Sequence, residues 1–130
     1  MAKKLLRVSL DTTFSLFGIS CHLKDFRFAW TINRHLQLDF KKSNPYIKEK
    51  KQEFSQYVYQ LDLETIYLFA NKSQSGFIIT KMKHVDYWIL FENILDKKAK
   101  QQFLYKIRSI EYVLTAFEEE NRQIKEHFVF

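Results

Sequence analysis

From Phe54 the chain reads FSQYVYQL over 54–61, TIYLFA over 65–70, FIIT over 77–80 and VDYWILF over 85–91. These runs are dense in Tyr, Val, Ile and Phe, the residues that fit a pleated, half-buried surface. Short segments separate them: Asp62-Leu63-Glu64, residues 71–76 and residues 81–84. Parallel neighbours need crossovers of about a dozen residues or more, so this spacing predicts an antiparallel meander. Upstream, Phe14-Ser15-Leu16-Phe17-Gly18-Ile19 has strand character, with Gly18 admitting a neighbouring backbone or permitting a bend. Leu6, Val8 and Leu10 alternate with Arg7, Ser9 and Asp11, the pattern of a half-exposed first strand.

Two stretches read as helix. Over 20–38, Phe26, Phe28, Trp30 and Ile32 alternate as in a strand, while Leu23, Phe26, Ala29, Trp30, Asn33 and Leu36 form a helical stripe. Length decides for helix, with Ser20 as N-cap, because an ordinary strand spans only about 5–6 residues. Ala99, Phe103, Ile107, Ile110, Leu114 and Phe117 recur at three- and four-residue intervals and predict a second helix over 96–121. Asp96 complements the helix dipole at its start, whereas Glu118, Glu119 and Glu120 oppose it at its end. Residues 39–52, with Asn44-Pro45 and five lysines, read as a flexible connection, and residues 124–130 as an edge strand. The expected architecture is α+β: a single domain over 1–130, with an antiparallel sheet of four to six strands and two helices packed on one face.

Composition narrows the function classes. The 130 residues are 46% hydrophobic and 28% charged, which excludes a disordered chain. Two Gly and one Pro exclude Gly-loop nucleotide-binding designs. A single cysteine, Cys21, rules out an internal disulfide and a Cys-cluster zinc site, and fits a reducing compartment. The basic N-terminus lacks the apolar core of a signal peptide, and no unbroken apolar run is longer than residues 87–91. A cytoplasmic protein with no membrane contact, no cofactor and no metal is the expectation.

The formal charge of +6 comes from 21 basic and 15 acidic residues, and most of the basic ones are Lys. Lysine is a hydrated point charge, not a phosphate-matching fork, so a solvated surface accounts for most of the excess. One concentration remains, at Lys41, Lys42, Lys48, Lys50 and Lys51. With Phe40, Tyr46 and Phe54 as stacking platforms, these form a candidate polyanion site for RNA or another single strand. Neutralising three or four phosphates would give a salt slope of about −3.

Other chemistry is sparse. Cys21 and His22 are adjacent, so on a helix they diverge by about 100° and face different surroundings. His35, His84 and His127 lack metal-ligand spacing. Asp25 and Asp86 are the acids most closely flanked by apolar residues. A buried Asp86 needs Arg27, Arg34 or backbone N–H groups as partners. Asn33 reads either as a satisfied buried polar group or as a helix–sheet pin.

The segment Ile79-Thr80-Lys81-Met82-Lys83-His84-Val85-Asp86-Tyr87 resembles the signature of the IPExxxVDY family, small proteins of Bacteroidetes-type bacteria. Ile79, Val85, Asp86 and Tyr87 match it, while Thr80 and Lys81 stand where the family has Pro and Glu. Phe17-Gly18-Ile19-Ser20, Leu23-Lys24-Asp25-Phe26-Arg27, Ala29-Trp30 and Asn33 resemble the family's N-terminal helix region. The resemblance implies a soluble bacterial cytoplasmic protein and a helix over 20–38. It assigns no catalytic residue, and the four matching positions are expected to be structural.

A sheet with two helices on one face leaves the other face partly open. Tyr57, Tyr59, Tyr67 and Trp88 are the candidates for an exposed aromatic patch there. The leading expectation is a non-enzymatic protein-interaction or homodimerising module. Nucleic-acid binding through residues 41–51 is the alternative, and an enzyme ranks third because phosphate loops, metal spacings and nucleophile elbows are missing from the sequence.

Overall fold

The computed structural model describes residues 13–48 and 52–128. Along the chain, β1 (Ser15–Cys21), α1 (Asp25–Leu36), β2 (Lys41–Lys42), β3 (Tyr46–Lys48), β4 (Gln52–Phe54), β5 (Gln56–Gln60) and β6 (Thr65–Ala70) come first. They are followed by β7 (Lys72–Ser73), β8 (Gly76–Phe77), a 3₁₀ turn (Thr80–Met82) and β9 (Tyr87–Phe91). Last come α2 (Lys97–Arg108), β10 (Val113–Glu118), α3 (Arg122–Lys125) and a second 3₁₀ turn (Glu126–Phe128). The expected α+β class is the observed one. Six strands form one antiparallel sheet in the order β10-β1-β9-β6-β5-β2, and β5, β6 and β9 make the predicted meander.

All seven residues of β1 are buried, because it lies between β9 and β10 with both faces covered. On one face Phe28, Ala29 and Ile32 of α1 and Phe103 and Ile107 of α2 pack against Phe17, Ile19, Leu68 and Ile89. On the other, Phe54, Ile78, Ile79, Val85 and Phe128 pack against Leu16, Phe69, Trp88 and Leu90. The expected open face is therefore absent. Tyr57 and Trp88 are buried and lie on opposite faces, while half-buried Tyr59 and Tyr67 are divided between the same two clusters.

Gly18 serves close packing of side chains. It pairs with Phe117 on β10 and with Trp88 on β9, whose rings meet edge to face at 6.2 Å. A Cβ at position 18 would stand 2.6 Å from the Phe117 ring and 3.0 Å from that of Trp88.

Several local expectations are corrected. The helix predicted over 96–121 ends at Arg108, and residues 113–118 become the edge strand β10. The β1 edge is open until β10 pairs with it, and strand pairing outweighs the weak helical preference of Val113 and Thr115. Leu114, placed by periodicity in the core, is 60% exposed: Cys21 opposes Val113 and Ser20 opposes Thr115, so Leu114 is the extra residue of a bulge. Phe117 packs on the sheet face away from α2. Arg108 donates two hydrogen bonds to the Ala116 carbonyl, and Lys100 pairs with Glu118 at 2.8 Å, tying β10 to α2.

Residues 77–80 do not form a strand of the main sheet: β7 and β8 make a separate hairpin, followed by the 3₁₀ turn. Residues 39–52 are not simply a connection, since β2 joins the sheet and β3 pairs with β4. Residues 122–128 form helical turns rather than an edge strand, with Phe128 buried. The strand expected over 6–11, and residues 129 and 130, lie outside the described residues. No helix among the described residues is long and apolar enough to cross a membrane.

Candidate functional site

The segment 79–87 wraps the ends of β1, β6 and β9, and each of its four signature residues is held by a specific contact. Ile79 and Val85 are buried at 1% exposure. Asp86 donates its N–H to the Ile19 carbonyl at 2.9 Å and accepts from the Asn71 N–H at 2.9 Å. Its carboxylate accepts from the N–H of Cys21 at 2.7 Å. Tyr87 donates its hydroxyl to the Leu23 carbonyl at 2.5 Å and stacks on Phe28 at 4.4 Å. Ser20, expected as a helix cap, lies in β1 and donates to the His84 carbonyl at 2.6 Å.

Asn71 organises this segment from within. Its amide donates to the carbonyls of Met82 and Val85, and its side-chain oxygen accepts from Ile79 N–H and the Trp88 indole. A side-chain amide has two donors and one oxygen, and all are used here in a site with no solvent exposure. Nothing in the sequence marks Asn71, the first of a run of polar residues over 71–75.

Beside the segment lies an open cleft of about 780 Å³, lined by Cys21, His22, Asp25, Ser55, Asp86 and Tyr87 among others. Its electrostatics do not favour nucleophilic chemistry. Burial pushes the Cys21 thiol up, and Asp86 adds to the shift, whereas a reactive thiol must be lowered. Burial, then the charge of Asp25, drives the Tyr87 hydroxyl far above its ordinary range, and the same causes push Tyr57 up to about 12. The Asp25 carboxylate lies 3.8 Å from the Lys42 ammonium and accepts from the Phe26 N–H. Cys21 is buried while His22 is exposed, so the adjacent pair faces different surroundings. Among the described residues, no three His, Cys, Asp or Glu are placed to hold a metal ion.

The lysine concentration is divided by the fold. Lys41 pairs with Asp39 at 3.6 Å, Lys42 with Asp25, and Lys48 donates to the Ile78 carbonyl on the opposite side of the sheet. Lys50 and Lys51 lie outside the described residues. The expected stacking platforms are withdrawn from solvent: Phe40 and Phe54 are buried, and half-buried Tyr46 donates its hydroxyl to the His127 carbonyl. Asn33 is half-buried and bonds both the carbonyl and the N–H of Phe40, in the segment just before β2.

The face of α1 was misassigned by the sequence stripe. The helix buries Phe28, Ala29 and Ile32, while Phe26 and Trp30 are 60% and 58% exposed. They stand one turn apart, and the Arg34 guanidinium, a further turn along, covers the Trp30 ring at 4.8 Å. A signal was available in the sequence. Residues 26–32 hold more apolar side chains than one helix face can bury, and that excess has to emerge elsewhere. No protein-family model matches the chain, and no curated protein matches it.

Proposed function

We propose that this chain is a non-enzymatic protein-interaction module whose contact surface is the outer face of α1. The observation that carries the reading is the ridge of Phe26, Trp30 and Arg34, composed of residue types enriched at interfaces, Trp and Arg also at hot spots, and displayed on a helix anchored by its other face. The signature residues Ile79, Val85, Asp86 and Tyr87 are read as the brace that fixes α1 to the sheet. Tyr87 holds the turn before the helix and stacks beneath it. On the resemblance of residues 79–87, the chain is read as a relative of the IPExxxVDY proteins of the bacterial cytoplasm. Nucleic-acid binding through residues 41–51 finds less support, because Lys41, Lys42 and Lys48 are held apart by local partners.

A photoreactive amino acid at position 30, with one at exposed Tyr105 as control, tests the proposal in cells. Discrete adducts from position 30 and none from position 105 are expected. The absence of an adduct from position 30 would refute the reading. An adduct at twice the chain's 15.8 kDa identifies the homodimeric form of the module.

A further inference from the structure

We infer that the α1 ridge docks an acidic polypeptide segment carrying aromatic or apolar side chains; this rests on the interaction reading and names the partner's chemistry. The first support is charge. Lys24, just before α1, and Arg27 and Arg34 on it make no ion pair among the described residues, and exposed Lys41 and Lys42 lie on neighbouring β2. The acids of this face, Asp25 and Asp39, are already engaged with Lys42 and Lys41. An approaching surface therefore meets two apolar anchors within uncompensated positive charge.

Shape and symmetry distinguish among partners. Phe26, Trp30 and Asn33 fall on one flank of α1 by the 3.6-residue repeat, and Asn33 bonds to Phe40 beside β2. The anchors thus project from a convex helix flank above the edge of the sheet. A single nucleic-acid strand needs a basic groove with free ring faces, and here Arg34 covers one face of Trp30. A second copy docked symmetrically would bring the basic patch of Lys24, Arg27 and Arg34 against its own copy, an unfavourable like-charge contact. An acidic chain with apolar side chains satisfies both features at once. Its carboxylates match the Arg forks bidentately, and its rings pack on Phe26 and Trp30.

The intact protein is titrated with a fluorescently labelled random copolymer of glutamate and tyrosine, with polyglutamate and single-stranded oligouridylate as parallel probes, and binding is read by anisotropy. The copolymer is expected to bind more tightly than either other probe. Trp30→Ala and Arg34→Glu are each expected to weaken it about tenfold or more, the effect of losing a hot-spot side chain. Tyr105→Ala should leave binding unchanged, and unchanged melting temperatures exclude loss of fold. Since Trp88 is buried, a blue shift of the emission on binding reports Trp30. Equal binding of polyglutamate would overturn the use of aromatic anchors, and equal or tighter binding of oligouridylate would overturn the polypeptide class. A concentration-dependent dimer that buries Trp30 would overturn the choice of a foreign partner. No copolymer binding, together with a position-30 adduct in cells, sinks the inference and leaves the interaction module standing.

Discussion

Trp88 donates its indole N–H to the side-chain oxygen of Asn71 at 3.0 Å, in a place where neither residue is reached by solvent. The same oxygen accepts from Ile79, and the same amide binds Met82 and Val85. Asn71 therefore joins the centre of the sheet to the segment that carries the signature residues.

Asn71→Ala leaves the Trp88 indole, the Ile79 N–H and the Val85 carbonyl unpaired in the core, while the Met82 carbonyl keeps the Val85 N–H. Each buried orphan costs about 1–3 kcal/mol, so a loss of about 3–5 kcal/mol in unfolding free energy is expected in urea titrations. A loss below about 1 kcal/mol would mean that Asn71 does not organise the segment.

Gly18→Ala places a methyl against the rings of Phe117 and Trp88. Overpacking of this kind costs about 1–3 kcal/mol. Gly18→Ala combined with Phe117→Leu should recover part of that loss, because the smaller side chain makes room. A double variant with simply additive losses would show that the two positions do not share the space.

Alkaline pH should unfold the protein by a route visible at 295 nm. Burial pushes Tyr46 up to about 12; burial and Asp25 push Tyr57 to the same value and Tyr87 further. Burial also raises Tyr67 and Cys21. The folded state keeps protons that the unfolded chain begins to release near pH 8.5 for the thiol and pH 10 for tyrosine. Stability is therefore complete below those values and falls as pH rises through about 12. Lys125, lowered by burial, has the opposite sign but is a single group. Of the seven tyrosines, Tyr46, Tyr57, Tyr67 and Tyr87 should ionise late and together with loss of the near-ultraviolet circular dichroism signal. Uniform ionisation of all seven near pH 10 in a folded protein would contradict the burial described.

The edge strand gives a further contrast. Leu114→Lys alters an exposed bulge residue and should change stability by no more than about 0.5 kcal/mol. Ile110→Ala removes a buried side chain and should cost about 2–5 kcal/mol. Comparable losses in denaturant melts would restore the long helix predicted over 96–121.

What could be read from the sequence divides along a physical line. The meander was legible because β5, β6 and β9 are near in sequence and dense in β-branched and aromatic residues. The long-range pairing of β1 with β10 was not, since Leu114 and Phe117 fit a helical repeat as well as a strand. Only the unpaired β1 edge decides between them. The apolar run that buries Val85 and Tyr87 was legible, but the residue that organises this segment, Asn71, carries no local pattern. On α1 the sequence held two overlapping apolar stripes, and only packing against Tyr87 and the sheet selects which one emerges as Phe26 and Trp30.

The missing side chain at Gly18 affects how the sheet opens. A terminal strand is ordinarily the first to fray, but β10 is fastened across β1 to Trp88 by the Phe117 ring and to α2 by Arg108 and Lys100. Its hydrogen-bonded amides should exchange with deuterium at the rate of whole-molecule opening rather than of local melting. In the language of cooperativity, the outermost strand belongs to the same unfolding unit as the centre of the sheet, and Gly18 is the vacancy that makes it so.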